Sequence, residues 1–168
     1  MVIAIVLLGT VRGPIPQAQE WIHQSFGQHG VEQLLSADER ALMSDVEALV
    51  PVDGVVVGSP RTGASLTPVF AHREALAPHI FGNRTRAEQY LLENWDQAGI
   101  DPFVCEYIEE LNAFWALDFG TDDVLGGVHP PLAGTDDLDE GAAPRVTELA
   151  RIGDAALYEA TVCGPPSR

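Results

Sequence analysis

The sequence predicts one α/β domain in which a parallel sheet is covered on both faces by helices. Three observations carry this. Short β-branched runs alternate with segments of helical spacing. The runs at residues 2–8 and 55–57 are apolar without polar alternation, as strands buried on both faces are. Each run is followed by a glycine-containing turn, the punctuation of strand–turn–helix units. The 168 residues suit a single domain over 1–168, and the 46% hydrophobic content is that of a globular chain.

Val2-Ile3-Ala4-Ile5-Val6-Leu7-Leu8 is too short for a membrane span, which needs roughly 20 apolar residues. It has no basic flank or small-residue cleavage site, so a buried strand is expected rather than a secretory signal. The turn Gly9-Thr10-Val11-Arg12-Gly13-Pro14 follows. Ala18, Trp21, Ile22 and Phe26 then recur at helical spacing up to a stop at Gly30. Residues 31–35 read as a short second strand. Ser36-Ala37-Asp38-Glu39 is a capping box, and Leu42, Met43, Val46, Leu49 and Val50 mark one face of the helix it starts.

Val55-Val56-Val57 is the expected third strand, central in the sheet and ended by Gly58-Ser59-Pro60. A helix is expected from about Leu66–Pro68 to Leu76. Thr85-Arg86-Ala87-Glu88 is a second capping box, followed by Ala87, Leu91, Trp95 and Ala98 on one face and by Gly99 as a stop. Residues 102–117 read equally as a strand over Phe103–Ile108 or as a helix starting at Asp101-Pro102. Residues 118–141, rich in Asp, Gly and Pro, read as a long acidic loop. A last helix is expected from Pro144, with Val146, Leu149, Ala150, Gly153, Leu157 and Ala160 on one face.

The net charge is −16, from 25 acids against 9 bases, all of them arginine. That field repels phosphate backbones and anionic lipid surfaces, so neither nucleic acid nor membrane is an expected partner. Cys105 and Cys163 have no metal-ligand spacing and read as two free thiols in a reducing cytoplasm, which makes the cytoplasm the expected location. The five histidines lack metal spacing as well, and no metal site is expected. The pairs Asp122-Asp123, Asp136-Asp137 and Asp139-Glu140 read as a solvated loop face. Trp21, Trp95 and Trp115 read as core. Ser59-Pro60 does not match a nucleophile elbow.

In parallel α/β sheets, ligands sit outside the carboxyl ends of the strands. Two turns occupy that position, residues 9–16 and 58–65. The first combines small residues, the Thr10 hydroxyl and the Arg12 charge at a helix start, a setting that suits a phosphate. The second, Gly58-Ser59-Pro60-Arg61-Thr62-Gly63-Ala64-Ser65, is small enough to approach a flat ring and donate backbone hydrogen bonds to its edge.

These two turns resemble those of the NAD(P)H-dependent FMN reductases. That family has a Gly-Ser-x-Arg-x-x-Ser phosphate loop after its first strand, where this chain has Gly9-Thr10-Val11-Arg12-Gly13-Pro14-Ile15. Its third strand reads Ala-Asp-Gly-(apolar)-Gly-Ser-Pro-x-Tyr-x-x-Ser, where this chain has residues 52–65, Val-Asp-Gly-Val-Val-Val-Gly-Ser-Pro-Arg-Thr-Gly-Ala-Ser. The resemblance covers residues 2–76 and the last helix and is loose over 77–141. It implies a flavodoxin-like three-layer sandwich with a parallel sheet of order 2-1-3-4-5, its fourth strand shortened to about His79-Ile80-Phe81.

The resemblance further implies a flavin-dependent oxidoreductase. Electrons would pass from NAD(P)H through bound FMN to a small acceptor such as a quinone, an azo compound or a second flavin. The implied cofactor residues are Gly9, Thr10, Arg12 and Gly13 at the phosphate, Ser59, Pro60, Arg61, Thr62, Gly63 and Ser65 along the ring, and Asn83 in the shortened loop Gly82-Asn83-Arg84. No side chain need be catalytic, because the cofactor performs the chemistry. Family members are commonly dimers or tetramers, which allows a homodimer or homotetramer. The chain carries Ile15 for the loop serine, Thr62 for the tyrosine, and Pro14 and Pro16 where backbone donors are needed. These departures motivate an alternative: a flavodoxin-like binding or interaction module that has lost its flavin. A third reading is an enzyme acting on a nucleotide or nucleoside, for which neither turn supplies a carboxylate nucleophile.

Overall fold

The computed structural model describes residues 34–124, 128, 130, 132, 134–142 and 145–166, within the compact unit Leu34–Arg168. The strand expected at 2–8, the first ligand-side turn and the helix over 18–26 lie outside those residues. Leu34 and Leu35, the described end of the expected second strand, form a bend.

Helix α1 spans Ala37–Leu49 and begins with the expected capping box. Glu39 N donates to Ser36 Oγ at 3.2 Å, and Ser36 N donates to the Glu39 carboxylate at 2.5 Å. Two amide groups that a helix start would leave unpaired are thereby satisfied. Leu42, Met43 and Val46 are buried, whereas Leu49 is largely exposed. Burial of such side chains is worth about 1.5–3 kcal/mol each.

Strand β1 is Val55–Gly58. Val56 and Val57 must point to opposite faces, and both are buried, so the sheet is covered on both sides here. The helix expected to reach Leu76 does not. A 3-10 turn over Gly63–Leu66 runs into a single helical turn, α2, at Thr67–Phe70. His72 then takes a left-handed conformation (φ 50°), which a helix cannot continue through, and the chain enters β2 at Glu74–Ala75. His79, Ile80 and Phe81 are not a strand; the short strand lies earlier.

Helix α3, Arg86–Asn94, starts at the second capping box and passes into a 3-10 turn over Trp95–Gln97. Gly99 (φ 77°) turns the chain away. Of the two readings of residues 102–117, the helix starting at Asp101-Pro102 is the one found; Phe103–Ile108 is helical and not a strand, and a strand forms only further on. Helix α4 is Pro102–Leu111, with Asp101 capping the Phe103 amide at 2.9 Å and Asn112 ending it in the left-handed region. Strand β3, Trp115–Asp118, follows and is wholly buried. Trp95 and Trp115 are core, as expected, and Trp95 Nε1 donates to the Ala113 carbonyl at 3.0 Å.

The end of the chain departs from expectation. In place of a helix from Pro144 there is a hairpin, β4 (Thr147–Ile152) and β5 (Ala155–Glu159). Gly153 and Asp154 form its two-residue turn, with Gly153 at φ 58°. The helical spacing of Val146, Leu149, Ala150, Gly153, Leu157 and Ala160 misleads because β5 is buried on both faces. Such a strand shows no polar alternation.

The hairpin also changes the sheet. Strand order is β2-β1-β3-β5-β4. β1 is parallel to β2 and to β3, but β5 is antiparallel to both β3 and β4. This mixed sheet replaces the expected flavodoxin-like parallel sheet of order 2-1-3-4-5. A return through two residues can only be antiparallel, whereas a parallel return requires a crossover of a dozen residues or more. Helix α1 packs on β4 and β5, and α3 packs on α4 and β1.

The two cysteines are not free. Cys105 on α4 and Cys163, in a 3-10 turn over Thr161–Cys163 just past β5, form a disulfide with Cα atoms 5.0 Å apart. Bridging across 58 residues removes unfolded-chain entropy worth about 4 kcal/mol in the loop-closure account. Among the described residues, no helix is long and apolar enough to cross a membrane.

Candidate functional site

Of the implied cofactor residues, Gly9, Thr10, Arg12 and Gly13 lie outside the described residues. The others divide. Ser59 to Ser65 leave the carboxyl end of β1 as expected, but they fold on themselves. Thr62 N and Thr62 Oγ1 both donate to the Ser59 carbonyl, at 3.2 and 3.1 Å. Arg61 N donates to Ser59 Oγ, and Ala64 N donates to Thr62 Oγ1, both at 3.3 Å. Ser65 N and Ser65 Oγ donate to the Thr62 carbonyl. Ser59, Thr62 and Gly63 are buried. The face that Gly63 leaves open is occupied by Leu35 and the Leu34 carbonyl, 2.9 and 3.0 Å from where a Cβ would stand. Only Pro60 and Arg61 of this loop reach an open cleft. Asn83 is exposed and does not line that cleft.

The cleft has a volume of about 250 Å³. Pro60 and Arg61 form one side. Ile80, Phe81 and Arg84, from the segment between β2 and α3, form another. Gln89 and Leu92 of α3, and Pro130 and Leu132 from the long segment after β3, complete the lining. It therefore sits beyond the carboxyl ends of the parallel strands, where connections in such sheets leave room for ligands.

Two guanidinium groups face this space in different states. Arg61 Nη1 pairs with Asp123 Oδ2 at 2.5 Å; the carboxylate is buried and the Arg61 side chain is 37% exposed. Arg84 Nη2 donates to the carbonyls of His79 and Ile80, at 2.7 and 3.2 Å. Among the described residues no carboxylate lies within ion-pair distance of Arg84. Its charge is thus oriented by neutral groups and left uncompensated. Phe81 beside it is 86% exposed, an unusual position for an aromatic ring.

The segment 118–141 is not simply a solvated acidic face. Asp118, Asp123 and Asp136 are buried. Asp118 accepts from Gly120 N at 3.0 Å and Leu138 N at 2.9 Å; its carboxyl is pushed above the usual range by burial, opposed by those two amide bonds. Asp136 accepts from Leu132 N at 2.6 Å. Val124 N donates to the Arg61 carbonyl at 2.8 Å. Gly134 packs against the α3 backbone so closely that a Cβ would stand 2.4 Å from the Leu91 carbonyl oxygen. These fastenings bring Pro130 and Leu132 to the cleft.

Sequence reasoning missed Arg84, Phe81, Gln89 and Leu132. One signal was available for Arg84. It precedes the Thr85 cap of α3, at the positive end of the helix dipole, where a cation is disfavoured unless something else holds it.

No curated protein and no solved structure matches the chain. Residues 1–161 match the model of a family described as a family of unknown function (DUF6541), and the chain belongs to that family.

Proposed function

We propose that this domain works by binding, and that its cleft takes a small anionic ligand carrying a flat apolar part. The observation that carries this is Arg84. In a chain of net charge −16, its guanidinium is held by two carbonyl oxygens, has no carboxylate partner among the described residues, and faces a cleft. Such a group offers planar, bidentate recognition of a carboxylate or phosphate. Phe81 beside it offers a face for stacking, and Ile80, Leu92 and Leu132 offer an apolar wall. The N-terminus of α3 adds a favourable dipole for an anion.

Binding is favoured over chemistry by the lining itself. Among the described residues that line the cleft, the polar side chains are two arginines and one glutamine. None of these is an ordinary nucleophile or a general base near neutral pH. The redox reading implied by the resemblance would use the Ser59–Ser65 loop along a flavin ring. In that loop, most of the polar groups are already engaged with one another, and this weighs toward the module that lacks flavin.

Titration of the full chain with phenyl phosphate, followed by backbone amide NMR shifts, tests the proposal. Shifts at Phe81, Arg84 and Gln89 are expected, with much weaker binding of benzyl alcohol, which keeps the ring and lacks the charge. Arg84→Ala is expected to weaken phenyl phosphate at least about tenfold, the loss of one charged hydrogen-bonding group. Equal affinity for the two probes, or indifference to Arg84→Ala, overturns the proposal. A parallel titration with FMN distinguishes the readings, since tight binding with a bound-flavin absorption spectrum supports the oxidoreductase.

A further inference from the structure

The full cysteine complement of the chain is Cys105 and Cys163, and both are consumed in one bridge, so no odd thiol is left for another role. The bridge is built into the fold. Cys163 is buried, and it lies in the 3-10 turn that directly follows β5, the strand lying between β3 and β4. Ala160 N, at the end of that strand, donates to the Phe114 carbonyl just before β3. Cys105 lies on α4, which leads into the same strand β3. The disulfide thus closes a ring of α4, β3 and β5, joining elements 58 residues apart in sequence.

Bridges of this kind persist where the surroundings are oxidising, and cytosolic thiol pools keep such pairs reduced. The expectation of a cytoplasmic location rested on two free thiols, and that premise does not hold. We infer that this domain folds and works in an oxidising compartment, outside the reducing cytosol, with the Cys105–Cys163 bridge as a permanent staple. The bridge forms by exchange with a protein disulfide donor. The two Sγ–H groups release two protons and two electrons as the Sγ–Sγ bond forms, and the donor's disulfide is reduced to two thiols.

The test traps the thiols where the protein lives. Cells that make the chain naturally are quenched with acid, and the denatured protein is treated with a mass-tagged maleimide before and after reduction. The expected result is no tag before reduction and two tags after. Two tags before reduction overturn the inference. A second readout uses the purified wild-type full chain, because Cys105→Ala and Cys163→Ala variants are at risk of failing to fold. Reductant is expected to lower its Tm by on the order of 10 °C. An unchanged Tm on full reduction overturns the staple and the inference with it.

Discussion

The parallel and antiparallel halves of the sheet are connected differently, and the difference separates binding from stability. β2, β1 and β3 are parallel, and their connections are long enough to carry α2, α3 and α4. Those connections pass beyond the strand ends and, together with the long segment between β3 and β4, surround a gap, the cleft of Arg61 and Arg84. β3, β5 and β4 are antiparallel; β4 meets β5 through two residues, and a disulfide ties the end of β5 to α4. The two-residue return between β4 and β5 brings many contacts together at little entropic cost. The lesson is that one sheet holds a site at one side and a clamp at the other. Substitutions in the two halves should therefore fail in different ways.

The largest effect is expected at Gly134, which locks the cleft's outer wall to α3. A Cβ there would meet the Leu91 and Leu92 carbonyl oxygens at 2.4 and 2.6 Å, and helix backbone cannot yield as a side chain can. Gly134→Ala should cost about 3 kcal/mol in urea unfolding and weaken phenyl phosphate binding as Leu132 shifts. In the clamp, Gly153→Val should cost about 2 kcal/mol while leaving phenyl phosphate affinity unchanged. Gly153 has φ 58°, and a Cβ there would meet the Asp38 carboxylate. If Gly153→Val also abolished binding, the division between the halves would collapse.

Smaller effects sharpen the picture. Arg61→Ala removes the ion pair to buried Asp123 and should cost about 1–2 kcal/mol, read by urea midpoint at neutral pH. Asp118 should reveal itself through pH. Burial raises its folded-state value above the ordinary 3.8, so the folded state holds that proton more tightly than the unfolded state. Its contribution is fully present below the unfolded value and is lost as pH rises through the folded one. Measured against Asp118→Asn, the wild type should gain relative stability as pH falls from 7 toward the ordinary carboxylate range; a pH-independent difference would remove this account. The smallest change in stability is expected for Phe81→Ala, within about 0.5 kcal/mol because the ring is 86% exposed. Its affinity for phenyl phosphate should nevertheless fall severalfold, as expected for a binding surface rather than a packing one.

Much of the local structure was legible. The capping boxes at Ser36 and Thr85, the stop at Gly99 and the strand at Val55–Val57 all depend on neighbours within a few positions, and each is found. Gly153-Asp154 was also readable as a hairpin turn, but helical spacing on either side outweighed it. The loop Ser59–Ser65 does leave the carboxyl end of a parallel strand, although that strand, β1, lies next to the described edge strand β2 and not at the middle of the sheet. Its donors could not be judged from sequence, because whether a donor faces a ligand or its own loop depends on how the chain closes.

The pattern of residues determined some short-range elements: the capped starts of α1, α3 and α4, the strand at Val55–Val57, and that the chain is strongly acidic. These follow from backbone sterics, local hydrogen bonds and summed charge, none of which needs a distant partner. Only the tertiary structure decided that β5 pairs antiparallel with β3, that Cys105 meets Cys163, and that Arg84 is aimed into a cleft by two carbonyl groups. Each joins groups through the packing of whole elements, and a two-faced buried strand, a cysteine or an arginine looks the same in sequence whichever partner the fold delivers.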